Sequence, residues 1–202
     1  TVINKDMADS LFDKISSSAY RARVNPRSKE AQRWFMNNVR NLNVSTSKVL
    51  NDPALKNSSP NSVQIGDMIM YAYDPKLKDV LPYYDKFPLS VVVEIRKDGF
   101  DALNLHYINP NIRAKFLDEL LKLGPSQPNE RSRLTKLRYS LLKGAATYAP
   151  FKPCYKRYLA EHVKSKVKRV PMTDWEIAIF LPTEQFAKAS MTKIFRDSTG
   201  MI

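Results

Sequence analysis

Residues 64–110 read QIGDMIMYAYDPKLKDVLPYYDKFPLSVVVEIRKDGFDALNLHYINP, and this stretch decides the fold. From Gly66 the residues alternate. Met68, Met70 and Ala72 fall on one face and Ile69, Tyr71 and Tyr73 on the other, the two-residue period of a strand. Asp74-Pro75 stops it. A loop rich in Pro and Tyr follows, then the apolar, β-branched run Leu89 to Ile95. Lys97-Asp98-Gly99 reads as a hairpin turn, with Gly99 accepting positive φ, and Phe100 to Ile108 as the return strand. Strand, long loop, strand, tight turn, strand is the skeleton of a small SH3-like antiparallel β-barrel or a curled sheet.

Outward from this unit the periodicity turns helical. Asp6 to Arg23 carries Met7, Leu11, Ile15 and Ala19 at helical spacing, with Asp6 or Asp9 as the expected cap. Ser28 caps a second helix striped by Ala31, Trp34, Phe35, Val39 and Leu42. A short helix is expected near Ser45 to Leu50. Residues 1–60 are thus expected to be a helical arm and linker whose stripe, Trp34 and Phe35 foremost, docks on a partner or on the β-unit. Residues 61–202 are expected to be the α+β core. Asn111 to Leu123 reads as a helix ended by Gly124-Pro125, and Arg133 to Lys143 as a weaker one. Cys154 to Val167 reads as a helix, and Ile177 to Leu181 as a short apolar strand that completes the sheet.

The chain of 202 residues has a formal net charge of +13, which points to a polyanion partner. The charge is concentrated. Residues 131–170 hold twelve Lys/Arg and one acid, whereas residues 61–130 hold eight and ten. The basic segment interleaves its cations with Tyr139, Tyr148, Phe151, Tyr155 and Tyr158. Cations bind phosphate through counterion release, and exposed aromatics stack on unpaired bases. The candidate nucleic-acid contacts are Arg131, Arg133, Lys136, Arg138, Lys152, Lys156, Arg157, Lys164, Lys166, Lys168 and Arg169. The pattern alone does not separate DNA from RNA, or either from an acidic protein surface.

Tyr83, Tyr84 and Phe87 in the LPYYDKFPL loop have two readings. They form a protein-binding groove, or they pack back onto the sheet; Pro82 and Pro88, which lower the entropy lost on fixing one conformation, favour the second. A metal-dependent nuclease is the enzyme reading. Asp74 or Asp85 followed by Glu94-Ile95-Arg96 places an acid and a cation on one strand face, but such alternation is common on exposed strands. His106 is expected to be a hydrogen-bonded structural histidine, and His162 a phosphate contact or plain surface. With one cysteine and two histidines no zinc site is expected, and one cysteine cannot form an internal disulfide. No P-loop, dinucleotide fingerprint, nucleophile elbow or HExxH is present, so neither cofactor nor metal is expected. No run of about 18 apolar residues occurs, and the N-terminal TVINKDMADS lacks an apolar h-region, so no membrane span or secretory signal is expected.

Four segments carry a resemblance: IGDMIMYAYDPKLKDVLPYYDKFPL, GFDALNLHYINPNIRAKFLDEL, FKPCYKRYLAEHVKSKVKRV and WEIAIFLP. They cover roughly the last two-thirds of the chain and resemble the DNA end protector (head-completion) proteins of T-even-like tailed phages. The resemblance implies a virion protein, assembled in the bacterial host cytoplasm, that sits at the packaged genome's terminus and shields the injected end from host exonuclease. It implies a double-stranded DNA end and other phage structural proteins as partners, with room for a symmetric oligomer in the virion, and it transfers no active site. The rival is an architectural neck, tail or baseplate protein that makes only protein contacts.

Overall fold

The computed structural model describes residues 10–122 and 149–202. The predicted helix at Arg133 to Lys143 and the candidates Arg131, Arg133, Lys136 and Arg138 lie outside these residues, as do Asp6 and Asp9.

Strands β1 (Lys56–Ser58), β2 (Met68–Met70), β4 (Leu89–Arg96), β5 (Gly99–Asn104), β6 (Tyr155–Leu159) and β7 (Val167–Arg169) form one sheet in the order β1-β7-β2-β4-β5-β6. Every pairing is antiparallel. Strands β3 (Tyr84–Asp85) and β8 (Phe186–Ala187) form a separate ribbon. The alternation read from Gly66 holds. Met68 and Met70, with Ala72 against them, join the large core, while Ile69, Tyr71 and Tyr73 join a second cluster with Val92, Phe100, Ala102 and Tyr158. Both faces of β2 are therefore buried. The second cluster is largely aromatic, with edge-to-face contacts of 4.8 Å for Tyr73–Tyr158 and 5.5 Å for Tyr71–Tyr158, a geometry that adds to area burial.

The sheet is not closed into a barrel. Among the described residues its two edge strands, β1 and β6, pair with β7 and β5 and not with each other. One stretch nevertheless serves both sides, meeting β5 as β6 and β2 as β7. Between them it crosses below β2, with a bridge at Tyr73–Val163 and bonds from Asp74 N to His162 O and Lys164 N to Ala72 O. The helix expected over Cys154 to Val167 is thus two strands and a one-turn connector. Its apolar spacing suits a helix, but β5 offers an unpaired edge, and long-range pairing overrides a weak local pattern.

Helices α1 (Leu11–Arg21), α2 (Lys29–Val39) and α3 (Thr46–Leu50) begin at Ser10, Ser28 and Ser45, whose hydroxyls accept from the backbone N of Asp13, Ala31 and Lys48. Residues 10–58 do not project as an arm. Phe12, Ile15, Ala31, Phe35 and Val39 share the large core with Met68, Leu89 and Val91, and β1 joins the sheet. α4 (Pro110–Lys122) starts with Pro at its first position and Asn109 accepting from Ile112 N. The run at Ile177 is not a strand: α5 (Trp175–Ala178) opens it, since a short wholly apolar run fits a buried helix as well as a strand. α6 (Met191–Met201) closes the chain. No helix among the described residues is long and apolar enough to cross a membrane.

Candidate nucleic-acid interface

The site is built on β6. Register pairs Asp101 with Arg157, Ala102 with Lys156 and Leu103 with Tyr155. Gly99 makes this pairing feasible by close approach rather than by the positive φ expected of it. Gly66, at φ 90°, is the described glycine in the left-handed region, whereas a Cβ on Gly99 would stand 1.9 Å from the Tyr158 carbonyl oxygen. Alternation along β6 then sends Tyr158 into the aromatic cluster and Lys156 to the same side, further along. The Lys156 ammonium lies 4.1 Å from the centre of the Tyr107 ring. It is half-buried, and among the described residues no carboxylate stands within ion-pair distance of it. Burial pulls its pKa below the ordinary lysine value.

Facing β6 across a cleft of about 520 Å³ is the 75–84 loop. Six of the chain's ten tyrosines line this cleft: Tyr73, Tyr83, Tyr84, Tyr107, Tyr155 and Tyr158. Pro75, Lys76, Leu77, Leu81, Lys156, Arg157 and Leu159 complete the lining with Asp85 and Asp98. Both acids are already engaged. Asp98 holds Arg157 at 2.9 Å. Asp85 accepts from His106 Nδ1 at 2.7 Å, Asn104 Nδ2 at 3.0 Å and Phe87 N at 3.0 Å. Burial alone would raise the Asp85 pKa, but His106 and these donors outweigh it and hold the carboxyl below its usual range. His106 is therefore the structural histidine expected, wholly buried, with Nε2 3.3 Å from the Thr183 hydroxyl.

The loop is held in place. Asp74 pairs with Lys78 at 3.0 Å, the Lys188 ammonium donates to the carbonyls of Lys78 and Leu81, and Tyr84 is fixed by the β3–β8 ribbon. Tyr83 packs at 6.2 Å from Tyr107. The cleft thus unites two features that are separate in sequence, the aromatic loop and the Lys156–Arg157 part of the basic segment.

The remaining candidates scatter. Phe87 is fully buried, and Phe35 is buried beneath half-buried Trp34, 5.3 Å away in an edge contact. Lys152, Lys164 and Lys166 are exposed. Lys166 borders a different depression, beside α3 and β1, together with Lys168. Lys168 is only 5% exposed and donates to Asn57 Oδ1 at 2.6 Å. Arg169 is half-buried against Asp67 at 3.3 Å. His162 donates from Nδ1 to the Asp74 carbonyl at 2.7 Å. The Glu94–Arg96 pair is engaged with itself at 3.0 Å and with Asp101 at 2.6 Å. No cluster of three metal-ligating side chains occurs among the described residues. Tyr73, Lys76 and Tyr107 line the cleft without having been singled out in the sequence. Tyr73 was readable as a strand position, but its place at the cleft depends on the partner strand.

Comparison with curated proteins and with solved structures returns no match. Residues 2–198 match the family described as Phage T4 terminal DNA protecting protein. The match reaches into the N-terminal 60 residues, beyond the segments that carry the resemblance read from the sequence. A tyrosine- and lysine-lined cleft beside an exposed basic stretch accords with that description, and with a match over nearly its whole length the chain belongs to the phage T4 terminal DNA protecting protein family.

Proposed function

We propose that this chain caps the end of packaged phage DNA, binding phosphate and terminal bases without reading sequence and without catalysing a reaction. The observation that carries this is the cleft, where an ammonium with no carboxylate partner among the described residues is held half-buried among tyrosines. Phosphate supplies the missing charge, and ring faces suit the exposed bases of an end. Lys156, Arg157 and Lys76 contact the terminus, and exposed Lys152, Lys164 and Lys166 extend the contact along the backbone. Nothing among the described residues resembles a base-reading helix or ribbon, so binding tolerates sequence. The curled sheet, with one stretch supplying both β6 and β7, is the open counterpart of an SH3-like barrel and acts as a platform. The protein works in the virion, where other structural proteins are its second class of partner. Exposed Tyr20, beside Val24, Pro26 and Phe35, offers them an apolar surface.

The test is the salt dependence of affinity for a linear duplex. Five to six phosphate contacts predict a log–log slope of about −5, and Lys152→Gln with Lys164→Gln and Lys166→Gln flattens it by about 3. A slope near zero removes the proposal.

A further inference from the structure

An end cap must tell a terminus from the side of a duplex, and phosphate contacts alone do not. Resting on the end-binding reading above, we propose that the cleft between the 75–84 loop and β6 takes a single unpaired terminal nucleotide, its phosphate on Lys156 and its base against the tyrosine walls.

Size, charge and rigidity support this together. At about 520 Å³ the cleft falls within the range of sites that enclose a small organic molecule, and it is far too small for a base-paired end. Its two carboxylates are satisfied, Asp85 by His106 and Asn104 and Asp98 by Arg157, which leaves Lys156 and Lys76 as the uncompensated charges. A carboxylate-free ammonium over an aromatic ring is a poor place for a cation partner and a good one for a phosphate. The walls need no rearrangement, since Lys188 pins the loop and the ribbon pins Tyr84. Leu77, 60% exposed, gives an apolar side chain at the wall for the next base. Entry requires an unpaired nucleotide, and freeing one from a blunt end costs a few kcal/mol, least where the base is already single-stranded.

The experiment uses the full 202-residue chain and short duplexes of one sequence: blunt, with a one-nucleotide overhang, and as a covalently closed circle. 2-Aminopurine is placed either at the terminal position or deep inside. The overhang duplex is expected to bind about tenfold tighter than the blunt one. The terminal probe changes its fluorescence on binding and the interior probe does not. Lys156→Gln lowers the affinity for the overhang about tenfold, and Lys156→Arg, which keeps the charge, largely restores it. Failure of linear duplex to outcompete the circle overturns end binding itself. Preference for linear DNA with a silent terminal probe and equal blunt and overhang affinities leaves end binding standing and overturns the cleft assignment. A free deoxynucleoside monophosphate that binds as tightly as the overhang duplex identifies the ligand as a free nucleotide and also overturns it.

Discussion

Glu184→Gln is expected to destabilise the protein by about 3 kcal/mol at neutral pH, and the loss is expected to fade in acid. One carboxylate oxygen of Glu184 stands 2.6 Å from Arg40 Nη1 and 2.7 Å from Arg113 Nη2. The Arg113 side chain is completely buried, and its other donors reach the carbonyls of Leu105 at 2.7 Å, Ile108 at 2.9 Å and Ile179 at 3.0 Å. Burial pulls the Arg113 pKa down, and Glu184 supplies the opposing charge. Burial would raise the Glu184 pKa, but Arg113, then His106 and Arg40, outweigh it and hold the carboxyl at about 2 instead of the ordinary 4.5. At about 1.4 kcal/mol for each pH unit, that difference gives the ~3 kcal/mol. It agrees with the ~3–5 kcal/mol expected when one member of a buried pair is removed and the other left charged. The sign follows from a depressed carboxyl: its contribution is complete above about pH 4.5 and is lost as pH falls toward about 2. Urea unfolding of both proteins at pH 7 and at pH 3 measures it. Glu184 also precedes Gln185, whose carbonyl accepts from Lys86 N, so the variant loosens the ribbon that holds Tyr84 at the cleft. Equal midpoints at pH 7, or a difference that does not shrink in acid, would refute the reasoning.

Three further outcomes are expected. Gly99→Ala places a methyl group 1.9 Å from the Tyr158 carbonyl, so β5 and β6 must part; the cost is about 2 kcal/mol or more, and DNA affinity falls with it. An unchanged urea midpoint would contradict this. Asp174 has its pKa raised to about 6 by burial and then by Asp13 and Asp52, so the wild type loses stability as pH rises from about 4 through about 6. Asp174→Asn removes that loss and gains about 1 kcal/mol at pH 7 after solvent screening, with little change below pH 4, as thermal melts at the two pH values will show. Ser10→Ala removes the α1 cap and the 2.6 Å bond to Asp52, at a cost of about 1–2 kcal/mol read from chemical denaturation.

Local signals in the sequence survived into the structure where they were strong. The alternation at Met68 to Tyr73 sorts those side chains into two cores as it should, and Ser28 and Ser45 cap the helices that follow them. The run at Ile177 failed because a wholly apolar segment has no period to read. Residues 154–169 failed for a different reason. Tyr155, Tyr158, Leu159 and His162 satisfy helical spacing, but β5 decides the outcome from more than fifty residues away in the chain, and nothing local announces that partner. The site inherited the same limit. Tyr83, Tyr84, Lys156 and Arg157 each stood out by type, yet their convergence depends on the β5–β6 pairing, and the choice between exposed Lys166 and buried Lys168 depends on the pairing of β7 with β1 and β2.

The central claim is that this chain occupies a DNA end, and protection from a double-strand exonuclease tests it most directly. A linear duplex mixed with the protein at low salt is predicted to resist digestion, with protection titrating at one bound unit per end and unaffected by an excess of covalently closed circular DNA of the same sequence. Digestion at the unprotected rate, or protection abolished by the circle, would contradict the account.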